Sequence, residues 1–179
     1  MRFEETRLLG AHVIDLEPIP DDRGFFARSF CAREFEERGL QSVVAQCNVS
    51  FNTRKGTVRG LHFAVEPGAE AKLVRCTRGS IWDVIVDLRQ DSPTYREHVG
   101  FELSAENRRA LYVPIGFAHG FQTLTDDSEV FYQMSGPYVA EAHRAYRFDD
   151  PAFGIDWPLT VSALSDRDAR APYLGDGTP

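Results

Sequence analysis

"KLVRCTRGSIWDVIVDLR", residues 72–89, decides the fold class. With Ala71 before it, it forms two runs of strand-forming residues, over 71–77 and 80–89, separated by Arg78 and Gly79. β-branched and aromatic side chains suit a pleated surface and glycine suits a reversal, so the stretch reads as a β-hairpin. In the second arm Ile81, Asp83, Ile85 and Asp87 share one side of the strand, and Trp82, Val84, Val86 and Leu88 share the other. The second set is wholly apolar and is the predicted core face.

The same rhythm runs outward in both directions. Strands are expected over 11–19, 43–52, 57–63 and 128–139, and through "HVGFELS" (98–104) and "RALYVPIGFAHGFQTLT" (109–125). "DDRGFF" (21–26) is a turn that opens a strand, and "AREFEERGL" (32–40) has helical spacing with Gly39 as its stop. After about residue 145 the pattern weakens into ordered loops with one helical turn. Short apolar runs between frequent turn signals, with little helix, indicate an all-β barrel or double-sheet jelly roll, a single domain over residues 1–179.

Composition narrows the function. Hydrophobic residues make up 42% of the chain, enough for one core, and 13 Phe against 2 Trp suit a sheet protein. Twenty Lys and Arg against 27 Asp and Glu leave a net charge of −7, which argues against a nucleic-acid partner. A few arginines can still build a local pocket for an anionic small molecule. Cys31, Cys47 and Cys76 are odd in number and contain no CxxC, so neither a disulfide framework nor a structural zinc site is expected. No apolar run is long enough for a signal segment or a membrane span, and a soluble cytoplasmic protein is the expectation. Dinucleotide, P-loop and GxSxG motifs do not occur.

Five histidines are the first candidates for chemistry. His98 and His143 sit among charged residues and read as solvated surface, and His12 reads as structural. His119, in "PIGFAHGF" (114–121), is flanked by glycines that mark a bulge or a close approach; packing and function stay equally open for it. His62 lies in "GTVRGLHF" (56–63). In a regular strand Arg59 and His62 point to opposite faces, whereas a bulge at Gly60 would turn both toward one cavity. A jelly-roll metal site of HxH type is not offered, since Ala64 stands where the second histidine would be. On residue type alone Lys72 reads as a solvated lysine, Tyr132 as a packing residue and Asp168 as a surface charge.

Seven segments in order change that reading: "DDRGFFARSF" (21–30), "QCNVSFN" (46–52), "GTVRGLHF" (56–63), "KLVRCTRGSIWDVIVDLRQDSPTY" (72–95), "LSAENRRALYVPIGFAHGF" (103–121), "FYQMSGPYV" (131–139) and "DDPAFGIDWP" (149–158). Together they resemble the dTDP-4-dehydrorhamnose 3,5-epimerases from about residue 10 to residue 170. The resemblance implies a cupin-type jelly-roll barrel with a few short helices, no metal or organic cofactor, and a homodimer. The implied substrate is a nucleotide-diphosphate sugar, a 4-keto-6-deoxyhexose.

By position, His62 matches the family's catalytic base. Asp168 matches its carboxylate partner, with Asp166 as the fallback, and Tyr132 matches the general acid. Lys72 and His119 match active-site residues near the sugar. Arg59 and Arg23 match residues near the diphosphate, Arg23 arriving from the partner subunit's N-terminal strand. Phe26, Gln46, Asn48 and Tyr138 match substrate-contacting positions. A base near neutral pKa and an acid on the opposite face are what proton exchange beside a ketone requires.

Four departures from the family pattern surround this set. Arg28 replaces a usual Glu, Phe63 and Ala64 replace Tyr-Gln, Glu70 replaces Gln, and Gln133 replaces Lys. They hold the reaction type more firmly than the substrate. Epimerisation at C3 only or C5 only, a 3,4-ketoisomerase and a non-catalytic sugar-nucleotide binder are the alternatives.

Overall fold

The computed structural model describes residues 1–176. With strands numbered along the chain, one sheet runs in the order β1 (Arg2–Glu5), β2 (His12–Asp15), β10 (Ala110–Val113), β7 (Lys72–Arg78), β12 (Ser128–Met134) and β5 (Gln46–Asn52). The second runs β13 (His143–Ala145), β6 (Val58–Ala64), β11 (Phe117–Thr123), β8 (Ser80–Asp87) and β9 (His98–Ser104). A separate hairpin joins β3 (Ile19–Asp21) to β4 (Gly24–Phe26). Paired strands are antiparallel, and from β5 to β8 and again from β9 to β13 each successive strand lies in the opposite sheet, as in a jelly roll of the cupin kind. Among the described residues helix is confined to α1 (Ala32–Glu36), α2 (Asp166–Ala169) and a 3-10 turn over Ala140–Ala142.

The principal core draws on both sheets. Val74, Cys76, Leu111 and Val130 from the first meet Ile81, Ile85, Leu103 and Phe121 from the second, each 2% exposed or less. A second cluster forms where Phe35 of α1 packs with Ile14, Leu73 and Tyr112. A third, built of Leu61, Phe63, Val86 and Ala118, is covered by Tyr146 and Phe153 from the C-terminal segment.

Three expectations are corrected. β7 and β8 are consecutive but do not form a hairpin: β7 pairs with β10 and β12, β8 with β11 and β9. The chain changes sheet at Gly79, whose φ of +73° and contacts with Thr125 and Ser128 leave no room for a side chain. The second correction concerns β8, where the inter-sheet face carries Ile81 and Ile85 rather than the even-numbered set. Val86 packs outward under the C-terminal segment. Because both faces are covered, alternation could not tell them apart. Lastly, residues 11–19 are not one strand. β2 ends at Asp15, and the chain passes Pro18 into the β3–β4 hairpin.

Candidate active site

β6 is irregular at the point that matters most. Its register against β11 pairs His62 with His119 but Arg59 with Phe121, so Gly60 and Leu61 together oppose Gly120. The extra residue brings Arg59 and His62 to the same cavity, which a regular strand would forbid. Gly60 has φ +109°, and a Cβ there would sit 2.6 Å from both Gly120 Cα and the His119 carbonyl oxygen. Only glycine allows this approach.

The bulge also organises a carboxylate. Ser165 caps α2, its hydroxyl accepting from the Asp168 N–H at 3.1 Å. Asp168 then projects against β6, with Oδ1 2.6 Å from His62 Nε2 and Oδ2 3.4 Å from the Gly60 N–H. Burial pushes the Asp168 carboxyl up, but the His62 ring, the Gly60 amide and Ser165 outweigh it and hold the group below its ordinary value. An ionised Asp168 accepts a hydrogen bond from Nε2–H, which leaves Nδ1 as the basic nitrogen. Asp166 is not the partner: its side chain is exposed and pairs with Arg170.

The cavity, about 250 Å³, is walled by both sheets. β12 supplies Tyr132, whose hydroxyl meets Ser50 of β5 at 3.1 Å. Burial drives this phenol well above its usual value, against the Ser50 hydrogen bond, so it stays protonated at working pH. His119 of β11 packs edge-on to the Tyr132 ring and donates from Nε2 to Asp83 Oδ1 at 2.8 Å. Lys72, at the start of β7, is 7% exposed. Desolvation lowers its pKa, while Glu70 and Asp83 act to raise it. Asn48 also lines the wall. Arg59 is anchored by its Nε to Asn52 Oδ1 at 2.7 Å.

Residues 5–176 match the model of the dTDP-4-dehydrorhamnose 3,5-epimerase family. The chain belongs to that family. The dTDP-4-dehydrorhamnose 3,5-epimerase of Sinorhizobium fredii is 45% identical over 97% of this chain and 90% of its own length. The crystal structure of the Elizabethkingia anophelis enzyme of that name superposes with a TM-score of 0.95 at 38% identity, covering 98% of this chain and 97% of the other. That of the Bacillus anthracis enzyme, with TDP and PPi bound, gives 0.91 at 42% identity over 97% and 99%.

The single chain of this family member gathers some of the expected residues and leaves others outside. His62, Lys72, His119, Tyr132, Arg59 and Asn48 line the cavity, with Asp168 directly behind His62. Gln46 lies beside it, holding the Gly136 carbonyl at 3.0 Å. Tyr138 is exposed and stacks on His143 with ring centroids 4.7 Å apart. Arg23 and Phe26 sit on the exposed β3–β4 hairpin, where Arg23 pairs with Asp21 of its own turn.

Residue-level reading missed two groups. His143, taken as solvated surface, lines the cavity, because β13 pairs with β6 and carries it to the wall. No local signal distinguishes it. Asp83 was set on the non-core side, yet it is fully buried on the interior face as the partner of His119. An acid inside the apolar run "IWDVIVD" (81–87) was its signal, since such a group is tolerated only with a partner.

Proposed function

We propose that this cavity epimerises dTDP-4-keto-6-deoxyglucose at C3 and C5 without a cofactor. The observation that carries the reading is His62 on one sheet, backed by Asp168 of α2, and the half-buried, protonated Tyr132 on the other, the two rings lining one cavity that also holds Lys72. The ketone at C4 acidifies the hydrogens on C3 and C5. His62 Nδ1 takes such a proton, and Asp168 stabilises the imidazolium that forms. The electron pair passes to the C4 oxygen, where Lys72 meets the developing charge. One preorganised donor of this kind is worth about 3–4 kcal/mol. Tyr132 returns a proton from the opposite face, and the carbon is inverted.

The cavity volume supports the same assignment. It falls below the roughly 300 Å³ at which drug-sized ligand pockets begin. A hexose ring fits within it, and the nucleotide lies toward the mouth. There Arg59 meets the diphosphate and exposed Tyr138 offers a ring for the base to stack on. Arg23 and Phe26 reach the site from a second subunit. In support, the hairpin bearing them exposes Ile19, Phe25 and Phe26, and edge strand β5 exposes Val49 and Phe51, an apolar surface suited to a second copy.

Solvent deuterium uptake tests the reading. Incubated in D₂O with dTDP-4-keto-6-deoxyglucose, the protein is expected to label both C3 and C5. Label at one carbon alone makes it a monoepimerase, and an NMR signal for a 3-keto product makes it a ketoisomerase. Absence of exchange with any 4-keto nucleotide sugar would sink the proposal.

A further inference from the structure

Among the described residues only four buried side-chain polar atoms lack a hydrogen-bond partner: both Glu70 oxygens, Asp83 Oδ2 and His143 Nε2. Three of the four therefore belong to two cavity-lining residues that the proposed reaction does not use. Native proteins leave few buried polar groups unpaired, and a cluster of them at a cavity wall points to a ligand that completes the set.

Glu70 is the sharper case. It is 5% exposed. It lies two residues before Lys72, just ahead of β7, and both side chains line the cavity. It forms no ion pair with Lys72 or any other cation among the described residues. A carboxylate held in that way costs stability, and burial raises its pKa against the pull of Lys72. Glu70 lines the cavity, and a small rotation of its carboxylate would present an oxygen to a polar group seated there.

We propose that Glu70 is a specificity residue whose carboxylate accepts a hydrogen bond from a ring hydroxyl of the bound sugar, beside the ketone held near Lys72. The assignment rests on the nucleotide-sugar reading above and adds to it the group that selects the sugar. An acceptor-only group discriminates against a sugar lacking that hydroxyl, because the carboxylate is then left desolvated and unpaired. His143, whose Nε2 also lacks a partner, lines the same cavity.

The test uses dTDP-6-deoxyglucose with its 2-deoxy and 3-deoxy analogues, all without the C4 ketone, so that calorimetry reads binding free of turnover. Wild type is expected to bind one deoxy analogue about tenfold or more weakly than the parent. Glu70→Leu is expected to bind the parent as weakly as that analogue, with the preference reduced to about one, while dTDP alone binds unchanged. Because the substitution removes an unpaired buried carboxylate, its melting temperature should be no lower than that of wild type, which a merely structural role for Glu70 would not give. Glu70→Gln keeps an acceptor oxygen and should retain part of the preference. Equal binding of all three sugars by wild type overturns the proposal without any variant. A Glu70→Leu protein that keeps the preference, or loses dTDP and every sugar alike, overturns it as well. Wild type that binds none of these dTDP compounds sinks the nucleotide-sugar reading itself, and Glu70's role with it.

Discussion

At the scale of single residues, the His62–Asp168 pair makes the strongest demands. His62→Ala removes the proton acceptor but leaves a half-exposed site, so deuterium exchange should fall by about 10²–10⁴-fold with little change in melting temperature. Full exchange in that variant would take His62 out of the chemistry. Tyr132→Phe should separate the two half-reactions: proton removal by His62 persists, and the inverted product is lost in NMR of the sugar. Asp168→Asn should lower turnover by about 10²-fold or more, because an amide cannot both hold the proton on Nε2 and balance the imidazolium. The carboxyl of Asp168 lies below its ordinary value, so its contribution to stability is present above the usual carboxylate range and is lost as pH falls through the folded value. The convergence of His62, Tyr132, Lys72 and Asp168 was legible, because collinear motifs singled them out together where residue type alone left each an open or bland choice. His143 was not legible, since its place on the wall comes from the long-range pairing of β13 with β6, which leaves no mark on its neighbours.

At the scale of elements, the bulge in β6 and the crossing at Gly79 set the geometry. Gly60→Ala forces a methyl into backbone 2.6 Å away at a φ that side chains disfavour. A loss of about 1–3 kcal/mol is expected, together with loss of exchange, since Arg59 and His62 no longer converge. Thermal unfolding alongside the exchange assay checks both, and a stable, active Gly60→Ala protein would remove the bulge from the argument. The glycine between two polar residues of opposite parity made the bulge readable. The β7–β8 crossing was misread because Arg78–Gly79 has the composition of a turn whether the chain reverses within a sheet or steps to the other. Asp87, at the end of β8, anchors the following loop through Arg89, Ser92 and Thr94. Burial raises its pKa, these partners outweigh it, and the group sits at about 2. Its stabilisation is thus complete above about pH 4 and is lost as pH falls toward 2. Asp87→Asn should cost about 2 kcal/mol in chemical denaturation at pH 7, and much less at pH 2.

At the scale of the whole molecule, the proposed site draws on a second chain. His62, Tyr132 and Lys72 are gathered by the two sheets with Asp168 behind His62, whereas Arg23 and Phe26 stand exposed on the β3–β4 hairpin and do not line the cavity. No helix of the described residues is long and apolar enough to cross a membrane, so the exposed apolar residues of the hairpin and of β5 are not part of a helical span. A second copy that covers them and receives the hairpin satisfies both facts, and this arrangement has a signature that mutation of either region alone lacks. Arg23→Ala and His62→Ala proteins should each be nearly inactive. When the two are denatured together and refolded in equal amounts, about half of the dimers by random pairing are mixed. In a mixed dimer, the Arg23→Ala chain provides an intact His62 and receives an intact hairpin from its partner, so one of its two sites is whole and the other carries both lesions. Activity should therefore return to about a quarter of the wild-type value. If each hairpin instead served its own chain, every site in the mixture would retain one lesion and activity would stay at the level of the separate variants.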